Sequence, residues 1–385
     1  MKKVVFCVAS LSCIGGAFGI NYEYPYLYKD PRVMGMGGAY VAVGGSASAL
    51  FYNPAGIGKI KKEAGFEVDL IGLSISVSED GFSFVRDLMN ALDVGDRDGD
   101  GDETDDQLVE VNKVIKAYRG KTLHFYFDSF PSISRRLDRL GFAVGGFVRW
   151  KFDAVPHQGF GSEGLVSVDT DFTYGLVGGI SYSFLSDTLT VGVGIKRLSR
   201  ERVVKDFTAR EIIENQDNIE DYISDEVKDG SAIAPDIGVI YDLPEVVGFK
   251  PSVGASYLNI GDLDFDEAGK VPGTLNVGFA FKKERNSTFL KELVFALDIA
   301  DITKNYEEDG DIGKRLRVGM GLTVWSGRWS DFILRVGSYQ GYWTGGIEFR
   351  LGIARIVATS YAEEVGAYSG QDENRRYMLS AYVTW

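Results

Sequence analysis

The stretch "LVSVDTDFTYGLVGGISYSF", residues 165–184, alternates over its whole length. Val166, Val168, Thr170, Phe172, Tyr174, Leu176, Gly178, Ile180, Tyr182 and Phe184 share one face of an extended chain. Ser167, Asp169, Asp171, Thr173, Ser181 and Ser183 share the other. Strands of soluble proteins usually stop near 5–6 residues, so a period of two held for about twenty residues points elsewhere. Alternation of this kind suits a strand with lipid on one side and a polar lumen on the other.

The pattern recurs along the chain. Leu189, Val191, Val193 and Ile195 alternate with polar or small residues, as do Leu275, Val277, Phe279 and Phe281. Leu316, Val318, Met320, Leu322 and Val324 do the same, and so do Trp343, Ile347, Phe349 and Leu351. A soluble sandwich would also alternate, but in shorter strands. The expected fold is therefore all-β, a transmembrane antiparallel β-barrel of about 14 strands, an even number as in bacterial single-chain barrels. The strands fall near 65–78, 121–130, 140–154, 165–184, 188–203, 232–242, 249–261, 272–283, 291–302, 314–325, 331–340, 343–351, 352–363 and 376–385. Short and long connections alternate between them, as periplasmic turns and outer loops do. No later segment reaches the 18 or so apolar residues of a spanning helix. The composition agrees: 48 Gly, 20 Tyr and 24 Phe against 9 Pro in 385 residues suit many curved strands.

Residues 1–19 read as a signal peptide. Lys2 and Lys3 precede an apolar run from Val4 to Ile14, and Ala17-Phe18-Gly19 supplies small residues before the cut. Both cysteines, Cys7 and Cys13, fall inside it, which leaves the mature chain without a thiolate metal site or cysteine nucleophile. Loss of Lys2 and Lys3 takes the formal charge from −14 to −16, which argues against nucleic acid as a partner. The last strand, "YMLSAYVTW", puts Tyr377, Leu379, Ala381, Val383 and Trp385 on one face. It looks like the C-terminal signal read by the barrel-assembly machinery. The expected location is the outer membrane of a Gram-negative-type cell, with outer-membrane lipid as neighbour.

Residues 20–60 precede the first strand and are expected to form an N-terminal hatch inside the barrel, which would span 61–385. A barrel this wide is not filled by its wall side chains alone. Within the hatch, Gly35, Gly37 and Gly38 permit tight turns and close backbone approach. Asn53-Pro54-Ala55-Gly56 stops any helix begun at Ser46, and the Asn53 side chain can satisfy backbone groups left orphaned there. "RVMGMGGAYVAVGGSASALFYNPAGIGKI" resembles the hatch of FadL-type long-chain fatty-acid transporters and their PorV-like and plasmid-TraF-like relatives. Weaker likeness continues through "DIGVIYDL" at 236–243 and "EEVG" at 363–366. The resemblance implies a hatched barrel that admits hydrophobic small molecules such as long-chain fatty acids. Its alternative is a PorV-like interaction protein of a secretion or conjugation system without flux.

Further sites are expected in the loop insertions 79–120 and 204–231. "DRDGDGDETDDQ", 96–107, has the spacing of a calcium loop between two helical stretches. Asp96, Asp98, Asp100, Asp102 and Thr104 would bind Ca2+ weakly, with Gln107 where a bidentate Glu is usual; the alternative is an acidic loop tip. No other cofactor is expected. Residues 207–227 read as one amphipathic acidic helix, either part of a landing groove or a cover packed on the rim. On the lumen face, Arg315, Arg317, Arg335 and Arg350 form a descending series, with Glu348 nearby. They would either guide an anionic amphiphile by bidentate contacts or pair internally. Enzyme chemistry is not expected: the histidines are His124 and His157 alone, and no nucleophile elbow occurs.

Overall fold

In a computed structural model, residues 23–93, 103–158, 164–215, 226–306 and 310–384 are described. Fifteen strand segments form one closed antiparallel sheet. Two of them, Leu123–Ser129 and Ser132–Leu137, are halves of one strand, so the barrel has fourteen. The strands are β1 (Phe66–Ser78), β2 (Leu123–Leu137 with its break), β3 (Leu140–Gln158), β4 (Gly164–Phe184), β5 (Leu189–Thr208), β6 (Lys228–Asp242) and β7 (Lys250–Leu258). Then follow β8 (Thr274–Glu284), β9 (Phe289–Ile299), β10 (Leu316–Ser326), β11 (Ser330–Tyr339), β12 (Tyr342–Leu351), β13 (Ala354–Glu364) and β14 (Glu373–Thr384). β14 closes on β1, with Ser380 opposite Ser74 and Leu379 opposite Ile75.

The alternation sorts side chains as the sequence implies. Leu176, Ile233, Trp343, Ile347 and Leu379 point out and are exposed, while Ser74, Thr173, Glu363 and Arg376 point in and are buried. No helix among the described residues is long and apolar enough to cross a membrane. β2 breaks at Phe130-Pro131 because Pro has no N–H for the ladder. The break turns Phe130 onto the hatch, where it meets Phe51 at 4.9 Å between ring centroids.

Val166 and Val168 depart from the simple pattern. They lie on the outward face of β4 but are 2% exposed, because β2–β5 continue past the apolar band and are covered by helices. These are α2 (Gly81–Leu92), α3 (Glu103–Ala117) and α4 (Ala209–Glu214), α1 being the hatch helix Pro31–Gly35. Phe84, Leu88, Val111, Ile115 and Ile212 pack on Leu123, Phe152, Val166 and Val168. Of the single helix expected over 207–227, residues 216–225 lie outside the described residues; before them the helix starts only at Ala209 and ends at Glu214. β5 runs on to Thr208, which with Glu211 forms a capping box, and Asn215 Nδ2 closes the helix on the Glu211 carbonyl at 2.9 Å.

Candidate functional site

The hatch winds around the inner wall in chain order. Asp30 caps α1, accepting from Arg32 N at 2.8 Å. α1 lies on β12 and β13, with Thr359 Oγ1 donating to Pro31 O at 2.8 Å. Gly37 adopts φ 64°, and a Cβ there would fall 2.3 Å from Val318 O. Tyr40 N and Val41 N donate to Asp298 Oδ2 at 2.5 and 2.8 Å. Asn53 caps the turn Pro54–Lys59 by accepting from Ala55 N at 3.0 Å. Its Nδ2 donates to Val41 O at 2.7 Å and to Val239 O on β6 at 3.2 Å. Inward glycines let the backbones touch: a Cβ on Gly238 would lie 1.9 Å from Asn53 Oδ1, and one on Gly192 2.4 Å from Ala55 N. Gly35 faces Gly346 of β12, Gly38 lies against the Tyr339 ring, and Gly56 packs on Gly44. Every hatch residue expected from the motif is therefore in contact with the wall or with the hatch itself.

The strap 24–29 leads into the hatch across the lumen. A cavity of about 80 Å³ lies between it and the wall, lined by Tyr24, Tyr26, Tyr28, Phe51, Tyr52 and Tyr339, with Lys196, Asp298 and Arg317 at its polar edge. Lys196 is held by Asp236 at 2.5 Å and Asn259 at 3.0 Å. Arg317 lies 4.0 Å over the Tyr339 ring, a cation–π contact, and donates to Tyr26 Oη and to Lys314 O. The strap itself is pinned by ions. Glu23 receives both Arg376 Nη1 and Nη2, at 3.0 and 2.7 Å. Lys29 Nζ bridges Glu23 at 2.8 Å and Glu363 at 2.5 Å. Next to them His124 Nδ1 meets Asp153 at 2.5 Å. Glu23, His124 and Asp153 offer ligand atoms within 4.8 Å of one another. However, Arg376, Lys29 and Lys151 already balance their charge, which leaves a divalent ion no electrostatic advantage.

The arginine series is mostly paired. Arg315 meets Asp301 at 2.5 Å, Arg335 meets Glu348 at 2.6 Å, and Arg350 meets Asp331 at 2.5 Å. Arg317 alone of the four lines the cavity, and it makes no ion pair with a carboxylate among the described residues. In the calcium-loop segment, Asp96, Asp98, Asp100 and Asp102 lie outside the described residues. Thr104 stands in the first turn of α3. Gln107 is buried, and its Nε2 donates to Leu92 O at 2.9 Å, which joins α3 to the end of α2. The aromatic strap and the anchoring role of Asp298 are not among the features the sequence motifs imply. The signal for the strap is Tyr24, Tyr26 and Tyr28 at every second residue.

No family model matches the chain, and no curated protein does. Solved structures do. A mutant of the TodX monoaromatic hydrocarbon channel superposes with TM-score 0.54 at 11% identity, over 96% of this chain and 100% of that one. The Pseudomonas putida toluene transporter TodX gives 0.52 at 11%, over 94% and 98%. The Ralstonia pickettii toluene transporter TbuX gives 0.50 at 12%, over 94% and 98%. The chain has the TodX-type fold. At this identity the likeness is one of fold, and it covers the hatch as well as the wall. It agrees with the architecture that the N-terminal motif implies, a hatched barrel of fourteen strands.

Proposed function

We propose that the protein is an outer-membrane barrel that takes up small hydrophobic compounds, with aromatic molecules favoured over long-chain fatty acids. The observation that carries this reading is the cavity enclosed by four strap and hatch tyrosines, Phe51 and Tyr339. Its size, about 80 Å³, is within a factor of about two of the ~150 Å³ apolar cavity that binds benzene, and far short of a long acyl chain. Aromatic rings take a ring guest edge-to-face, and Arg317 adds a cation at the wall. The fold shared with toluene transporters and a monoaromatic hydrocarbon channel supports the same reading. In this role its partners are outer-membrane lipid and the hydrophobic solute, with the barrel-assembly machinery acting during biogenesis.

The ion pairs that pin the strap favour a second reading, a permanently shut PorV-like interaction protein. Uptake separates the two. Cells that make the protein are expected to accumulate labelled toluene several-fold faster than cells without it, and Tyr28→Trp, which fills the cavity, should abolish the gain. Oleate uptake should not change. No gain with toluene would favour the shut barrel, and a gain with oleate alone would overturn the aromatic preference.

A further inference from the structure

α2 carries two apolar flanks, and only one of them is covered. Phe84, Leu88 and Ala91 are buried, whereas Phe82 is 71% and Met89 56% exposed; Val85, half-buried, packs on the covered core beside Phe84 and Leu88. Ser83, Arg86 and Asn90 make up the polar side. Isolated exposed apolar residues are ordinary, but here they form one stripe on a twelve-residue helix.

Neighbouring contacts fix which way the stripe points. α3 packs along one side of α2: the Phe84 and Tyr118 rings meet edge-on at 5.4 Å, and Tyr118 Oη donates to Asp87 Oδ2 at 2.8 Å. At 3.6 residues per turn, Phe82 and Met89 lie about 180° around the helix from Phe84, Asp87 and Ala91. They therefore face away from α3. α3 is the outer of the two helices. Its Asn112 accepts from Gly164 N at 2.5 Å at the start of β4, and Gly120 N donates to Pro156 O at 2.7 Å near the end of β3. α2 starts lower, with Gly81 against the Phe125 ring. Phe125 pairs with Val77 on β1, and the next outward pair down is Phe127 with Ile75. Ile75 and Leu73 belong to the exposed apolar band. The stripe thus faces the side on which that band lies.

We infer that α2 is an interfacial helix, which sets Phe82 and Met89 into the acyl–headgroup boundary of the outer leaflet. Its polar side stays in water, as in helices that lie on membranes. The helix would fix the depth of the barrel at β1–β2 and hold the α2–α3 cover over the rim. This inference does not depend on whether the barrel transports anything.

Spin labelling tests it directly, since Cys7 and Cys13 are the chain's cysteines. In the full chain with both replaced by Ser, Phe82→Cys and Met89→Cys would be labelled in phospholipid bilayers. Lys113→Cys serves as the water reference and Leu379→Cys as the lipid reference. The ratio of oxygen to nickel-chelate accessibility at 82 and 89 is expected to exceed that at 113 several-fold and to approach that at 379. Ratios no higher than at 113 would overturn the proposal. So would ratios that rise only when toluene is added, because the stripe would then be a landing site for solute. Both substitutions are at exposed positions, and retained heat-modifiable migration would confirm a folded barrel.

Discussion

Asn53 joins two segments of the hatch to the wall through one amide, with three backbone partners. In Asn53→Ala the carbonyls of Val41 and Val239 lose their donor in a buried site, at about 1–3 kcal/mol each. The expected outcome is a loosened hatch: passage of large hydrophilic antibiotics rises, while heat-modifiable migration stays normal. Gly238→Ala should give the same leak, because its Cβ would take the space of Asn53 Oδ1. Leakage at the wild-type level in both variants would show that these contacts do not hold the hatch. The role of Asn53 was legible because Asn before Pro is a capping pattern within a few residues. That of Asp298 was not. Its hatch partners are 257 and 258 residues away, and nothing local in "ALDIA" distinguishes an anchor from a lumen-facing carboxylate.

Among the elements, α1 depends on an acidic cap. Burial works to raise the Asp30 carboxyl, but the Arg32 charge and hydrogen bonds from Arg32 and Ser48 outweigh it and hold the group at about 2. A carboxyl depressed on folding stabilises above its unfolded value, near 3.9, and loses that contribution as pH falls through about 2. The contribution is on the order of 2 kcal/mol. Leak conductance in planar bilayers should therefore climb between about pH 4 and pH 2. Asp30→Asn should leak more at pH 7 and show a flatter rise; identical titrations would remove Asp30 from the account. Ten of the strands lie within three residues of the expected limits, because an apolar outer face against a polar lumen enforces the period of two; β3, β5 and β6 run four or five residues further, into the part beyond the apolar band. The second half of β2 was missed, since Pro131 reads as a strand end when its neighbours across the break, Gly72 and Gly146, cannot be known. The acidic helix begins two residues later than the spacing implies, at Ala209, because β5 runs on to Thr208 and that residue caps it.

For the whole molecule, the lumen is where sequence told least. Alternation says that a residue faces inward, but not which of many inward charges it meets. Arg376 with Glu23 spans 353 residues. Removing one partner of a buried pair costs roughly 3–5 kcal/mol by leaving the other uncompensated. In Arg376→Met, amides 24–30 are expected to exchange hydrogen at least tenfold faster while β7–β10 keep the wild-type rate. A uniform increase would mean that the pair supports the barrel rather than the strap. These separations also bear on how the molecule is built. Gly37 N bonds Thr344 Oγ1 across 307 residues, and Thr359 Oγ1 bonds Pro31 O across 328. The segment made first cannot find its place until nearly the last strand exists, and contacts so remote in sequence form slowly. Once β14 pairs with β1, the hatch is enclosed by its own chain. Assembly is therefore expected to fill before it closes, and a hatch supplied as a separate peptide to a finished barrel should not take its native position.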